Sequence, residues 1–138
     1  MAKSSETVLY YCPENIGHRA KRKAVFVQMG VRIRNILPEH FSRSVGELAG
    51  MEGYECALEG PAGEIDQEVL VLAGFTQQRI NELLYRLSRT KQPKIDLKAI
   101  VTDTNAGWSF YQLYQEIARE HEQMKSAANT SVHSQKTE

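Results

Sequence analysis

"EVLVLAGF", Glu68 to Phe75, decides how this 138-residue chain folds. After Glu68 the residues are apolar without interruption up to Gly74, so no polar position marks a solvent face. Such a run reads as a strand buried on both sides, which requires cover above and below it. "TQQRINELLYRLSRTK" follows at once, Thr76 to Lys91. Its Ile80, Leu83, Leu84 and Leu87 fall on one helical stripe, and Thr76 stands where an N-cap belongs.

Working outward, "TVLYY" (Thr7 to Tyr11) is a second continuous apolar run. "VRIRNIL" (Val31 to Leu37) and "KIDLKAIV" (Lys94 to Val101) alternate instead, as strands with one face partly in water do. "ENIGHRAKRKAVFVQMG" (Glu14 to Gly30) reads as an amphipathic helix with Ile16, Ala20, Ala24 and Val27 inward and Gly30 as C-cap. "SVGELAGM" (Ser44 to Met51) is a short helix with an internal Gly, and "SFYQLYQEIAREHEQM" (Ser109 to Met124) a longer one with Phe110, Leu113, Tyr114 and Ile117 on one stripe. Strand–helix–strand crossovers favour parallel pairing. With the continuous strands in the middle, the expectation is an α/β fold: a four-stranded, mostly parallel sheet of order 2-1-3-4, built from two βαβα units. The alternative is a ferredoxin-like α+β arrangement with an antiparallel sheet. One domain over 1–122 is expected, with pseudo-repeats at about 7–51 and 68–122. Ser44-Val-Gly-Glu-Leu48 follows the second strand much as Ser109-Phe-Tyr-Gln-Leu113 follows the fourth. "EGYECALEGPAGEIDQ" reads as the connecting loop, and 123–138, without apolar periodicity, as a disordered tail.

The corner "KAIVTDTNAGWSF" (Lys98 to Phe110) carries the most concentrated polar signal. With Ser109 as N-cap, Gln112 completes a capping box, and Trp108 and Leu113 form a hydrophobic staple. Asn105-Ala106-Gly107 supplies turn positions. Thr102, Asp103, Thr104 and Asn105 exceed what one turn needs. They stand at a strand's C-terminal end, where open α/β sheets place ligands. In a parallel sheet the strand ends bearing Cys12, His40, Phe75 and Thr102 would meet at one edge. The candidate ligand-binding set is therefore Thr102, Asp103, Thr104, Asn105, Trp108, Cys12 and His40.

"LKAIVTDTNAGWSFYQLYQEIAREHE", preceded by "VLVLAGFTQQRINELLYRL", resembles a small bacterial family described only as a domain of unknown function. There a Lys-Ala-[Ile/Val]-x-Thr-x-Thr-Asn-x-x-Trp stretch leads into a terminal helix ending near Glu-His. The matching positions are Lys98, Ala99, Thr102, Thr104, Asn105 and Trp108, with Leu113, Glu120 and His121 on the helix. The resemblance covers about residues 66–122 and implies no activity; residues 7–60 resemble no placed family.

Composition and spacing exclude several chemistries. Lys+Arg and Asp+Glu both number 17, so a general nucleic-acid binder is not expected. No segment approaches the ~20 apolar residues of a membrane span. The N-terminal residues do not read as a secretory signal. Two distant cysteines, Cys12 and Cys56, form no disulfide framework, so a reduced, cytoplasmic protein is expected. Cys12 and Arg19 are spaced one residue too far apart for a phosphatase loop, and Pro13 removes an N–H from it. Residues 9–36 are loosely similar to the opening of a glutaredoxin, but Glu14 and Gly17 stand where its two cysteines would be, which removes the exchange chemistry. Ile117 stands four residues before His121, so no helical metal pair forms, and no metal or cofactor is expected.

Charge is segregated. Arg19, Lys21, Arg22, Lys23, Arg32 and Arg34 have no acid among them, whereas 47–68 holds Glu47, Glu52, Glu55, Glu59, Glu64, Asp66 and Glu68 and no base. Either both are solvated surface, or they meet within the chain or between copies. The functional expectation is an interaction or regulatory module without catalysis, self-associating or bound to another protein. The alternative is a small-molecule binder or enzyme, the ligand possibly anionic, with its site at the strand ends.

Overall fold

The structure is a computed structural model and describes residues 6–14, 16–54 and 63–137, with side chains as far as Met124. Strand β1 is Thr7–Tyr11, β2 Arg32–Asn35, β3 Val69–Ala73 and β4 Leu97–Ile100; the helices are α1 Arg19–Met29, α2 Val45–Leu48, α3 Gln77–Ser88 and α4 Phe110–Thr137. One sheet contains all four strands in the order β2-β1-β3-β4. The two continuous apolar runs occupy the centre and the two alternating ones the edges, as the patterning requires.

β1 pairs with β2 and β3 with β4 in parallel, but β1 and β3 run antiparallel, Thr7 opposite Ala73 and Tyr11 opposite Val69. The sheet is therefore mixed. It is mostly parallel and in the expected order, with the central β1–β3 pair as the antiparallel exception; the ferredoxin-like alternative with an antiparallel sheet is corrected, because two of the three pairings are parallel. An apolar run reports burial on both faces but not direction, since either ladder satisfies the backbone.

The antiparallel pairing sets β1 and β3 side by side with Leu9 opposite Val71. Away from the sheet, Ser44 and Ser109 form an isolated antiparallel bridge. Val45 N–H donates to Trp108 O at 2.8 Å, and Phe110 N–H to Arg43 O at 3.0 Å. Each unit thus closes its last corner against the other.

Helices cover both faces. Val8, Tyr10, Leu70 and Leu72 pack with Val25, Phe26 and Met29 of α1 and Ile80, Leu83 and Leu87 of α3. Leu9, Val69, Val71 and Leu97 pack on the opposite side with Val45 and Leu48 of α2 and Phe110, Leu113 and Ile117 of α4. The inward stripe of α1 is Arg22, Val25, Phe26 and Met29, not Ala20, Ala24 and Val27, which are exposed. The helix is rotated from expectation because its first inward position is an arginine, which polarity-based patterning assigns to solvent. Gly30 ends α1 at φ 70°, in the left-handed region a C-cap needs.

Gly46, inside α2, lies under Tyr54: a Cβ there would meet the ring at 2.6 Å. The connecting loop falls largely in 55–62, outside the described residues, as does Cys56. The helical backbone of α4 enters 123–138, the stretch expected as a disordered tail, whose side chains beyond Met124 lie outside the described residues. Among the described residues no helix is long and apolar enough to cross a membrane.

Candidate functional site

The mixed sheet separates the residues expected to converge. Cys12 and His40 follow β1 and β2 and lie at one end of the sheet. Phe75, Thr102, Asp103, Thr104, Asn105 and Trp108 follow β3 and β4, which end at the other. The shared edge expected for Cys12, His40, Phe75 and Thr102 is therefore corrected by the antiparallel β1–β3 pairing.

Local bonds account for much of each group. Asn105 Oδ1 accepts from Thr102 N–H at 2.9 Å, its Nδ2 donates to Ile100 O at 3.1 Å, and its own N–H donates to Thr102 Oγ1 at 3.1 Å. His40 repeats the device in the first unit: its Nδ1 accepts from Leu37 N–H at 3.0 Å. Burial, aided by Arg34, lowers the His40 pKa and so favours the neutral acceptor. Ser109 Oγ accepts from Gln112 N–H at 3.0 Å, while Trp108 packs against the cluster that contains Leu113. Cys12 is buried, and its thiol donates to Ile16 O at 3.2 Å. Asp103 and Thr104 are exposed.

A different cluster stands out once side chains are placed. Arg22, on α1, is 1% exposed, and its guanidinium grips Glu68, just before β3. Nε donates to Glu68 Oε2 at 3.0 Å and Nη2 to Oε1 at 2.9 Å, while Nη2 also donates to Pro93 O at 2.6 Å. The Tyr10 hydroxyl donates to the same carboxylate, and His18 Nδ1 lies 3.2 Å from it. A carboxylate only accepts, so this contact needs the proton on His18 Nδ1. Burial alone would raise the Glu68 pKa, but the bonds from Arg22, Tyr10 and His18 outweigh it and hold the carboxyl below its usual range. Burial pushes the Tyr10 phenol the other way, and its bond to Glu68 adds to this. One member of the basic segment and one of the acidic segment thus meet inside the chain.

Arg22 forms the inner wall of a cleft of about 470 Å3, lined by the last turns of α3 (Leu84, Leu87), by Pro93 and Ile95, and by Lys94 and Lys98. That volume lies in the range of small-molecule sites, roughly 300–1,000 Å3. The Lys98 ammonium, on β4, donates to the Ile95 carbonyl. Burial lowers its pKa, Lys94 adds to the effect, and Asp96 opposes it. The cleft therefore combines aliphatic walls with a partly desolvated cation. Among the described residues no three His, Cys, Asp or Glu side chains gather as a metal site would require.

These features define a mixed-sheet α/β protein with helices on both faces and a cationic cleft. A family model described as "Domain of unknown function (DUF3783)" matches residues 68–124. That stretch contains β3, α3, β4 and the part of α4 whose side chains are described, and so holds every cleft residue except Arg22. No curated protein and no solved structure shows a significant match.

Sequence reasoning left open whether the basic and acidic segments are solvated or meet, and did not single out Arg22 and Glu68 as a buried pair. Two signals were available. Glu68 opens an otherwise unbroken apolar strand, and Arg22 begins the 22-25-26-29 stripe. A charge at each of two core positions, opposite in sign, is the signature of a buried pair.

Proposed function

We propose that this chain is a binding module without catalysis, taking a small ligand in the cleft between the end of α3 and β4. The observation that carries the reading is the position of Lys98: a half-buried ammonium facing aliphatic walls, with a backbone carbonyl as its hydrogen-bond acceptor. The engagement of the carboxylate behind the cleft supports the non-catalytic part. The carboxylate behind the cleft, Glu68, accepts from Arg22, Tyr10 and His18 and is spent as a structural anchor. A thermal-shift panel of small anions, cations and neutral compounds tests the reading, because specific binding raises Tm by mass action. A shift that disappears in Lys98→Met supports it; a panel without any Lys98-dependent shift overturns it.

Self-association is the second reading, and one observation favours it. β4 is an edge strand, and Ile100 on it is 46% exposed. Exposed edges invite pairing with a second strand. Sedimentation at several salt concentrations distinguishes this case: a monomer at every salt concentration counts against it.

A further inference from the structure

From the chemistry of the cleft we infer its ligand class: an amphipathic monocarboxylate, an aliphatic or aryl body ending in one carboxylate. This rests on the binding reading above and goes further by fixing charge and shape. The body would lie against Leu84, Leu87 and Ile95, and the carboxylate would accept from Lys98.

Charge accounting leads to a single negative group. Three cations line the cleft, Arg22, Lys94 and Lys98. Arg22 is already neutralised by Glu68 and bonded to Pro93 O, so it contributes a polar wall and no free charge. Lys94 is exposed at the rim. Among the described residues Lys98 is the inner cation without a carboxylate bonded to it; Asp96, which acts on it, is itself exposed and 3.9 Å from His121 Nε2. A carboxylate on Lys98 would restore the electrostatic partner that burial withholds. A dianion fits less well. The residues around Leu87 and Ser88 form the C-terminal end of α3, whose carbonyls carry the negative end of the helix dipole and oppose negative charge, and Lys98 offsets only one such charge. Phosphate sites also draw on backbone N–H groups at helix N-termini, and this cleft has the opposite helix end. The aliphatic walls exclude a small hydrophilic anion as the best match, because only an apolar body removes their surface from water.

The test is titration of the full chain with butyrate, hexanoate and octanoate, with inorganic phosphate and hexylammonium as controls, read by amide chemical shifts and calorimetry. Shifts are expected at the amides of 84–88 and 94–98, with octanoate at least about tenfold tighter than butyrate, from the added buried methylenes. Lys98→Met is expected to weaken octanoate at least about fivefold, and Lys98→Arg to retain it, since a charged hydrogen bond is lost in one and kept in the other. The wild-type shift map does not depend on either variant folding. Phosphate moving the same amides, with no dependence of affinity on chain length, overturns the carboxylate class and leaves the cleft standing. Hexylammonium binding as well as hexanoate overturns the class too. If no probe moves those amides and the broader panel also fails, the binding reading falls with it.

Discussion

Ser44 and Ser109 face each other in an antiparallel bridge, and each is also the N-cap of the helix it precedes. Ser44 Oγ accepts from Glu47 N–H at 3.1 Å, and Ser109 Oγ accepts from Gln112 N–H at 3.0 Å. The two halves of the chain are thus joined away from the sheet, at the points where their last helices start.

Removing these caps is expected to cost unequal amounts. Ser109→Ala loses one capping bond and should destabilise the fold by about 1 kcal/mol. Ser44→Ala should cost more, because Ser44 Oγ also donates to Tyr54 O at 2.6 Å and leaves that carbonyl without this bond. Urea unfolding of both variants checks the order; equal losses would contradict it.

Arg22 and Glu68 form a buried, doubly hydrogen-bonded ion pair. Arg22→Met strands a buried carboxylate and should cost about 3–5 kcal/mol. The double variant Arg22→Met/Glu68→Leu should recover a large part of that loss, because neither charge then remains buried alone. Denaturant melts of the two single variants and the double variant form the required cycle.

Acid should weaken the fold through the same carboxylate. Its folded pKa lies below the ordinary value of 4.5. A depressed acid contributes stability that is full above the unfolded pKa and is lost as pH falls through the folded one. Unfolding free energy should therefore decline below about pH 4.5 in the wild type. The decline should be shallower in Glu68→Gln, measured by urea melts at successive pH values. Parallel slopes would remove Glu68 from the account.

Gly46→Ala reverses the usual helix rule. Alanine in a helix is normally favoured over glycine by about 1 kcal/mol. Here the new Cβ would fall 2.6 Å from the Tyr54 ring. The substitution should destabilise by about 1–3 kcal/mol, as overpacking does. Thermal melts should show Tyr54→Ala relieving the clash in the double variant.

Asn105 gives the opposite contrast to Lys98. Asn105→Asp keeps the acceptor for Thr102 N–H but loses the donor to Ile100 O, so it should lower stability by about 1–3 kcal/mol. It lies at the far end of the sheet from the cleft, so ligand-induced thermal shifts should be unchanged. A lost ligand response in this variant would return attention to the corner.

The amino-acid order alone established the local elements. Thr76, Ser44 and Ser109 cap helices because short hydroxyl side chains satisfy the first N–H groups, and Gly30 ends a helix because it tolerates positive φ. It also established which strands are central, since an unbroken apolar run such as Val69–Ala73 can only be sheltered on both faces. Thr102 and Asn105 have a local explanation: the Asn105 side chain and its N–H bond to Thr102 and Ile100, and its carbonyl accepts from Trp108 N–H, all within the corner.

Only the tertiary structure decided the direction of β1 against β3, because backbone donors and acceptors pair in either sense and leave no trace in residue type. That direction sent Cys12 and His40 to one end and Thr102 to the other. The chain also hints at buried charges at Arg22 and Glu68, but only the fold shows that they are each other's partner. Burying a charge is unfavourable alone and tolerable in a pair, so the position of either residue makes physical sense only once the fold has brought the other within hydrogen-bond reach.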